Sequence, residues 1–135
     1  MTGETNLHKL LATMQPQLQE GEYVFCTLPH RQPIDFSIVI AFFREAEGNT
    51  IVIPRGHADK LGLAYSYVAS WITLTIHSSL DAVGLTAAFS AALGNAGISC
   101  NVWAAFYHDH IFVAEKDAAK AIQILNDLSA KHREN

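Results

Sequence analysis

Hydrophobic residues recur along this chain with two periods. Leu7, Leu10, Leu11 and Met14 stand at i, i+3, i+4 and i+7, the stripe of a short amphipathic helix. Thr5 is placed to cap that helix and Pro16 cannot continue it. Gly21 opens the strand-like run Tyr23–Leu28, rich in aromatic and β-branched residues. Pro29 and Pro33 bracket a loop. Phe36–Phe43 then predicts a largely buried strand, Glu47-Gly48-Asn49 a turn, and Thr50–Ile53 the returning arm of a hairpin. After Pro54, Ala58–Leu63 predicts a short helix ending near Gly62.

The second half alternates more cleanly. Ile72, Leu74 and Ile76 fall on one face of the run Trp71–His77, and Thr73, Thr75 and His77 on the other. Leu85, Ala88, Phe89, Ala92 and Leu93 mark one face of a helix that begins near Asp81–Leu85, with Gly97 as its stop. Ile98–Phe106 predicts a strand, Tyr107–Asp109 a turn, and His110–Ala114 the returning strand. Ala118, Ala121, Ile122, Ile124, Leu125 and Leu128 give the last helix a broad apolar face, with Asp117 in its first turn, where the helix dipole favours an acid. The order β-α-β-β-α predicts an α+β, ferredoxin-like arrangement: antiparallel sheet with helices on one face.

The halves echo each other. Phe42–Leu63 and Phe106–Leu125 both run strand end, polar turn, aliphatic strand, helix, which suggests an internal duplication. The chain divides on this reading into residues 1–67 and 68–135. The first copy lacks a long helix between its first two strands and carries the Pro29–Pro33 loop instead. No linker separates the halves, since Ala64–Ser70 is short and fairly apolar.

Composition narrows the function. Half of the 135 residues are hydrophobic and 16% are charged, with a net charge of −4, so a packed core is expected, with apolar surface left over for an interface. The only basic cluster is Lys131-His132-Arg133, which leaves no electrostatic footprint for nucleic acid. Polar Met1–Glu4 with no apolar run behind it argues against a signal peptide, and no stretch reaches membrane-span length. Cys26 and Cys100 each sit in an apolar run and predict buried, reduced core residues of a cytoplasmic protein.

The segment His77–Phe89, continuing through Leu93, Gly97, Ile98 and Val102, resembles the first βαβ of ACT domains, with Val83 where proline is common and the following glycine, Gly84, intact. Met14-Gln15-Pro16, Tyr23–Thr27, Phe43–Gly48 and Tyr107–Val113 extend the resemblance, over nearly the whole chain, to the bacterial stand-alone tandem ACT-domain proteins. It implies two ACT-like units and a non-catalytic regulatory protein that binds a small ligand, an amino acid first among the classes, at the loop between first strand and first helix.

That location makes chemical sense. Gly84 lets backbone approach a ligand, and the first amides of the following helix lack intrahelical partners and carry partial positive charge, which suits a carboxylate. The candidate contacts are Ser78, Ser79, Ala82, Val83, Gly84 and Leu85 in the loop and helix start, with Asn101, Phe106 and Asp109 from the neighbouring hairpin. Asn101 offers an orienting amide. Asp109 offers a carboxylate for an α-amino group, and the resemblance, through a similar eukaryotic arginine sensor, implies an acidic contact at the start of the third strand. Structural roles compete for each: Gly84 for strand–helix packing, Ser78 and Ser79 for helix capping, Asp109 for the turn, and Arg44, Glu45 and Glu47 for a solvated hairpin end.

His108 and His110, at i and i+2, face one side of a strand and raise a metal site as an alternative. No HExxH, finger or phosphate-loop motif accompanies them, and no GxSxG or GxGxxG occurs, so no enzyme, cofactor or resident metal is expected. A ligand-free structural or interaction protein is the other alternative. Apolar faces left by two small units predict a homodimer.

Overall fold

The computed structural model describes residues 6–76 and 78–133. The helix cap assigned to Thr5, the polar start Met1–Glu4 and the outward place of His77 lie outside the described residues.

The elements in chain order are α1 (Leu7–Thr13), β1 (Gln15–Leu18), β2 (Tyr23–Leu28), β3 (Ala41–Arg44), β4 (Asn49–Pro54), α2 (Arg55–Leu61), β5 (Val68–Thr75), α3 (Leu85–Asn95), β6 (Asn101–Ala104), β7 (Asp109–Ala114) and α4 (Ala118–Arg133). Single 3-10 turns occupy Phe36–Ile38 and Glu115–Asp117. The chain forms two compact units, one from residues 1–20 and 70–135, the other from 21–69. Both are α+β and ferredoxin-like.

In the first unit the strand order is β1-β5-β7-β6, with β1–β5 and β6–β7 antiparallel. Gln15 pairs with Thr75 and Leu18 with Ile72, so the start of the chain completes the sheet begun sixty residues later. The compact unit so formed takes residues from both sides of the sequence division at 67/68. The physical reason is the edge of β5, whose backbone groups need a partner that the second half does not contain.

One core unites this unit. Leu10, Leu11 and Met14 meet Ile72, Leu74 and Ile76 of the sheet side, Phe89 and Leu93 of α3, and Ala121 and Leu125 of α4, all buried. Asn6 caps α1 by accepting from the Lys9 amide at 3.0 Å. At the other end of α1, the buried Ser129 hydroxyl of α4 donates to the Ala12 carbonyl at 3.1 Å, and Arg133 donates to Ser129 Oγ at 2.7 Å. α3 is rich in alanine and leucine, which favours helix. It ends where Gly97, at φ +77, lets the Ile98 amide reach the Leu93 carbonyl at 3.0 Å. Ile98 is itself buried, so the stop is also a hydrophobic clasp.

In the second unit the order is β3-β4-β2, followed by the first residues of β5, where Tyr23 pairs with Ala69 and Val24 with Val68. Its core is smaller: Val24, Cys26, Leu28, Ile51, Ile53 and Ala58. Gly62, in the left-handed region, ends α2.

Three expectations need correction. Phe36–Phe43 is not a buried strand. Asp35 caps a 3-10 turn through the Ser37 amide at 3.0 Å, in which Phe36 is 61% exposed, and β3 is a sheet edge on which Phe43 is 60% exposed. Apolar content alone could not show that no long helix covers this edge. The strand expected over Ile98–Phe106 is confined to Asn101–Ala104. Asp117 belongs to the 3-10 turn leading into α4, not to that helix's first turn. Both cysteines are free; Cys26 is buried, while Cys100 is half-buried against the larger core, its thiol pushed up to about 11 by burial.

A fragment of residues 68–135 lacks both α1 and β1. It is expected to show no cooperative urea transition by circular dichroism, and a peptide of residues 1–20 is expected to restore one. A sharp transition in the fragment alone contradicts the pairing described.

Candidate functional site

β5 ends at Thr75, and the chain then runs to Gly84 before α3 begins. Within that loop the Ser79 hydroxyl accepts from the Asp81 amide at 3.1 Å, and the Ser79 carbonyl from the Ala82 amide at 3.0 Å. Ser79 therefore stabilises the loop and does not cap α3. The cap is Gly84 itself, at φ +98, with no side-chain hydrogen bond. A left-handed backbone of this kind suits glycine. A Cβ there would meet Leu7 Cδ2 at 3.0 Å, so α1 closes over one side of the glycine.

The other sequence candidates divide by environment. Ser78 is half-buried beside the loop. Leu85 is buried and Ala82 packs against the same core, so both anchor the loop. Val83 is almost fully exposed. Asn101 is exposed, and its Nδ2 donates to the Phe112 carbonyl across the hairpin at 3.2 Å. Phe106 is 66% exposed and edge-stacked on Tyr107, ring centres 5.1 Å apart.

Asp109 is the unusual one. It opens β7, opposite Ala104, and is only 7% exposed. Its side chain shares the strand face of Ile111 and Val113, the helix-covered face. Burial raises its pKa above the ordinary carboxylate value, and the neighbouring His108 works in the opposite direction. His108 Nδ1 lies 3.3 Å from the Ile76 carbonyl. The start of β7 therefore sits beside the exit of β5, where the loop to Gly84 begins. The structure thus brings Asp109 and that loop to one end of the sheet.

On the opposite face lies a network that the sequence did not signal. Trp71 Nε1–H donates to His110 Nδ1 at 3.1 Å, the Thr73 hydroxyl meets the same nitrogen at 3.1 Å, and Gln19 Nε2 donates to Thr73 Oγ1 at 3.0 Å. His110 is thereby fixed as an acceptor, and burial lowers its pKa below the ordinary histidine value. The alternation of β5 put Thr73 on this face; nothing in the spacing tied Gln19 or His110 to it. The rings of His108 and His110 lie on one side with centres 6.4 Å apart. Among the described residues no group of three or more metal-ligating side chains gathers around them.

The fold and the glycine-capped helix define the class, a tandem of small α+β units of ferredoxin-like type. ACT-domain family models match residues 2–70 and 66–127. The chain belongs to the ACT-domain family and carries two such domains in tandem. Among solved structures it is similar to a Vibrio cholerae protein of unknown function described as a possible transport protein, at 48% identity over 91% of this chain and 95% of that one, with a TM-score of 0.82. It shares its fold with an Agrobacterium tumefaciens protein, at 18% identity over 86% and 89% of the two chains and a TM-score of 0.71. It shares it also with the ligand-free regulatory subunit of aspartate kinase from Thermus thermophilus, at 6% identity over 86% and 96% and a TM-score of 0.63. No curated protein matches it.

Two substitutions test this geometry. Gly84→Ala is expected to lower unfolding free energy by about 1–3 kcal/mol, from forcing a side chain into the left-handed region beside Leu7. Asp109→Asn is expected to raise the melting temperature at pH 7. A carboxyl with a raised folded-state pKa binds protons that the unfolded chain has released, so its ionisation costs stability as pH climbs through that folded value. The advantage of the variant should vanish below the ordinary carboxylate pKa of 3.8, where both states hold the proton. Melting curves at pH 3 to 8 check both; a pH-independent gap for Asp109→Asn contradicts the assignment.

Proposed function

We propose that the chain is a non-catalytic regulatory protein of the cytoplasm that binds a free amino acid at the start of α3. ACT domains are typically amino-acid-binding regulatory modules. The observation that carries the proposal is the pairing of opposite needs at one end of the sheet. The α3 amides have a cap with no side chain to accept from them, and Asp109 is a carboxylate that burial destabilises in its charged form. A zwitterion answers both: its carboxylate takes the helix amides, and its ammonium takes Asp109. An arriving ammonium would oppose the effect of burial on Asp109 by opposite-charge attraction and favour its ionised form.

Regulation requires that binding change something read elsewhere. The exposed Phe36, Phe43, Phe106 and Tyr107 leave apolar surface suited to a second copy, and a homodimer is the assembly proposed. Among the described residues no helix is long and apolar enough to cross a membrane.

One observation favours a second reading. Leu7 packs against Gly84, as expected of a glycine kept for close packing in a ligand-free interaction protein. A thermal-shift panel of the twenty amino acids separates the two. A ligand at a hundred times its dissociation constant adds about 2.7 kcal/mol, a shift of several degrees. Stabilisation by one amino acid, lost in Asp109→Ala, is the expected result; no shift across the panel sinks the proposal in favour of the second reading.

A further inference from the structure

α1 and α4 pack against each other in the larger unit. His8 stands on α1 and His132 in the last turn of α4, with ring centres 5.4 Å apart and ring planes tilted by 54°. Two imidazoles on one metal ion, each bonded at about 2.0–2.1 Å, have centres about 5 Å apart at a tetrahedral angle. The observed spacing is close to that.

A second observation points to the same use. His132 Nδ1–H donates to the Leu128 carbonyl at 3.0 Å. A carbonyl only accepts, so the proton of the neutral ring is on Nδ1 and the lone pair is on Nε2. Metal-binding histidines are commonly oriented in this way, by a second nitrogen that donates to a backbone carbonyl. His132 is half-buried, which holds its ring, whereas His8 is exposed and its ring can turn toward an ion. The pair His108 and His110 lacks this preparation. His110 Nδ1 accepts from the Trp71 indole, which leaves the proton on Nε2 and no free lone pair.

We infer that His8 and His132 together bind one divalent ion of the late transition metals, zinc, nickel or copper, with water in its remaining positions. The donor set selects the class. Imidazole suits these ions, while magnesium and calcium ask for oxygen. Among the described residues no third His, Cys, Asp or Glu joins the pair. Lys9, Lys131 and Arg133 are its neighbours in sequence, so coordination and not net negative charge must hold the ion. The two rings meet only when α1 is docked on α4, so an ion that binds them stabilises that docking. The site stands whether or not an amino acid binds beside Gly84 and Asp109.

The test uses the full chain without a histidine tag, titrated with zinc chloride and separately with magnesium chloride at pH 7.5, and followed by calorimetry and by NMR of the histidine rings. Zinc is expected to bind at one equivalent per chain, to move the ring signals of His8 and His132 and to raise the melting temperature; magnesium is expected to do none of these. His8→Gln, at an exposed position, should fold as the parent does by circular dichroism and weaken zinc by about tenfold or more, since one of two protein ligands is gone. His132→Gln should do the same. Undiminished zinc affinity in folded His8→Gln, shifts confined to His108 and His110, half an equivalent of zinc shared between two chains, an equal response to magnesium, or no binding at all would each overturn the assignment.

Discussion

The pairing of Gln15–Leu18 with Ile72–Thr75 is the contact on which the larger unit depends. It closes a loop of nearly sixty residues, and the entropy of that closure falls due before α1 can settle on α3 and α4. The return is large. With β1 in place, Leu10, Leu11 and Met14 join a core that holds Phe89, Leu93 and Leu125 fully from water. Ser129 then has the Ala12 carbonyl to bind, and Leu7 has Gly84. The loop at the start of α3 therefore inherits its shape from residues at the far end of the sequence. A site built there is held by long-range packing, not by local propensity.

What was legible in the sequence follows from which signals are local. The stripe of α1, the stop at Gly97, the turn at Gly48 and the alternation of Ile72, Leu74 and Ile76 all depend on neighbours within a few positions, and the structure carries each of them. Gly84 was legible for the same reason, since a glycine ahead of a helical pattern has few conformational explanations. The failures are the non-local ones. Phe36, Phe42 and Phe43 are as apolar as any core residue, and only the absence of a covering helix makes them surface. Gln15–Leu18 was legible as the end of a helix but not as a strand, because its partner lies beyond any window of periodicity. Pro16 is tolerated in it because β1 pairs with β5 alone.

The duplication read from the sequence has a counterpart in burial. β4 and β7 show the same sequence of buried and half-buried positions, each opening on a buried polar residue, Asn49 in one and Asp109 in the other. The equivalence matters because the two side chains respond differently to the same burial. A carboxyl can take a proton and lose its charge; burial accordingly pushes Asp109 toward that form. An amide has no such escape, so Asn49 keeps its demand for a donor at every pH.

The units also differ in what covers the equivalent strand face. In one, α3 lays Phe89 and Leu93 on the sheet and fills it. In the other, a 3-10 turn and a loop span the same topological step, and side chains as short as Val39 and Ile38 cannot reach as far as a helix would carry a phenylalanine. Packed interiors leave few voids, and a large one left by a short loop is costly unless something occupies it. A loop in place of a helix in one of two similar units thus does more than shorten the chain. It leaves a cavity lined by Ile34, Ile38, Val39 and Leu63 where the other copy packs a helix, while that other copy has its buried polar residue, Asp109, at the helix's amino-terminal end of the sheet.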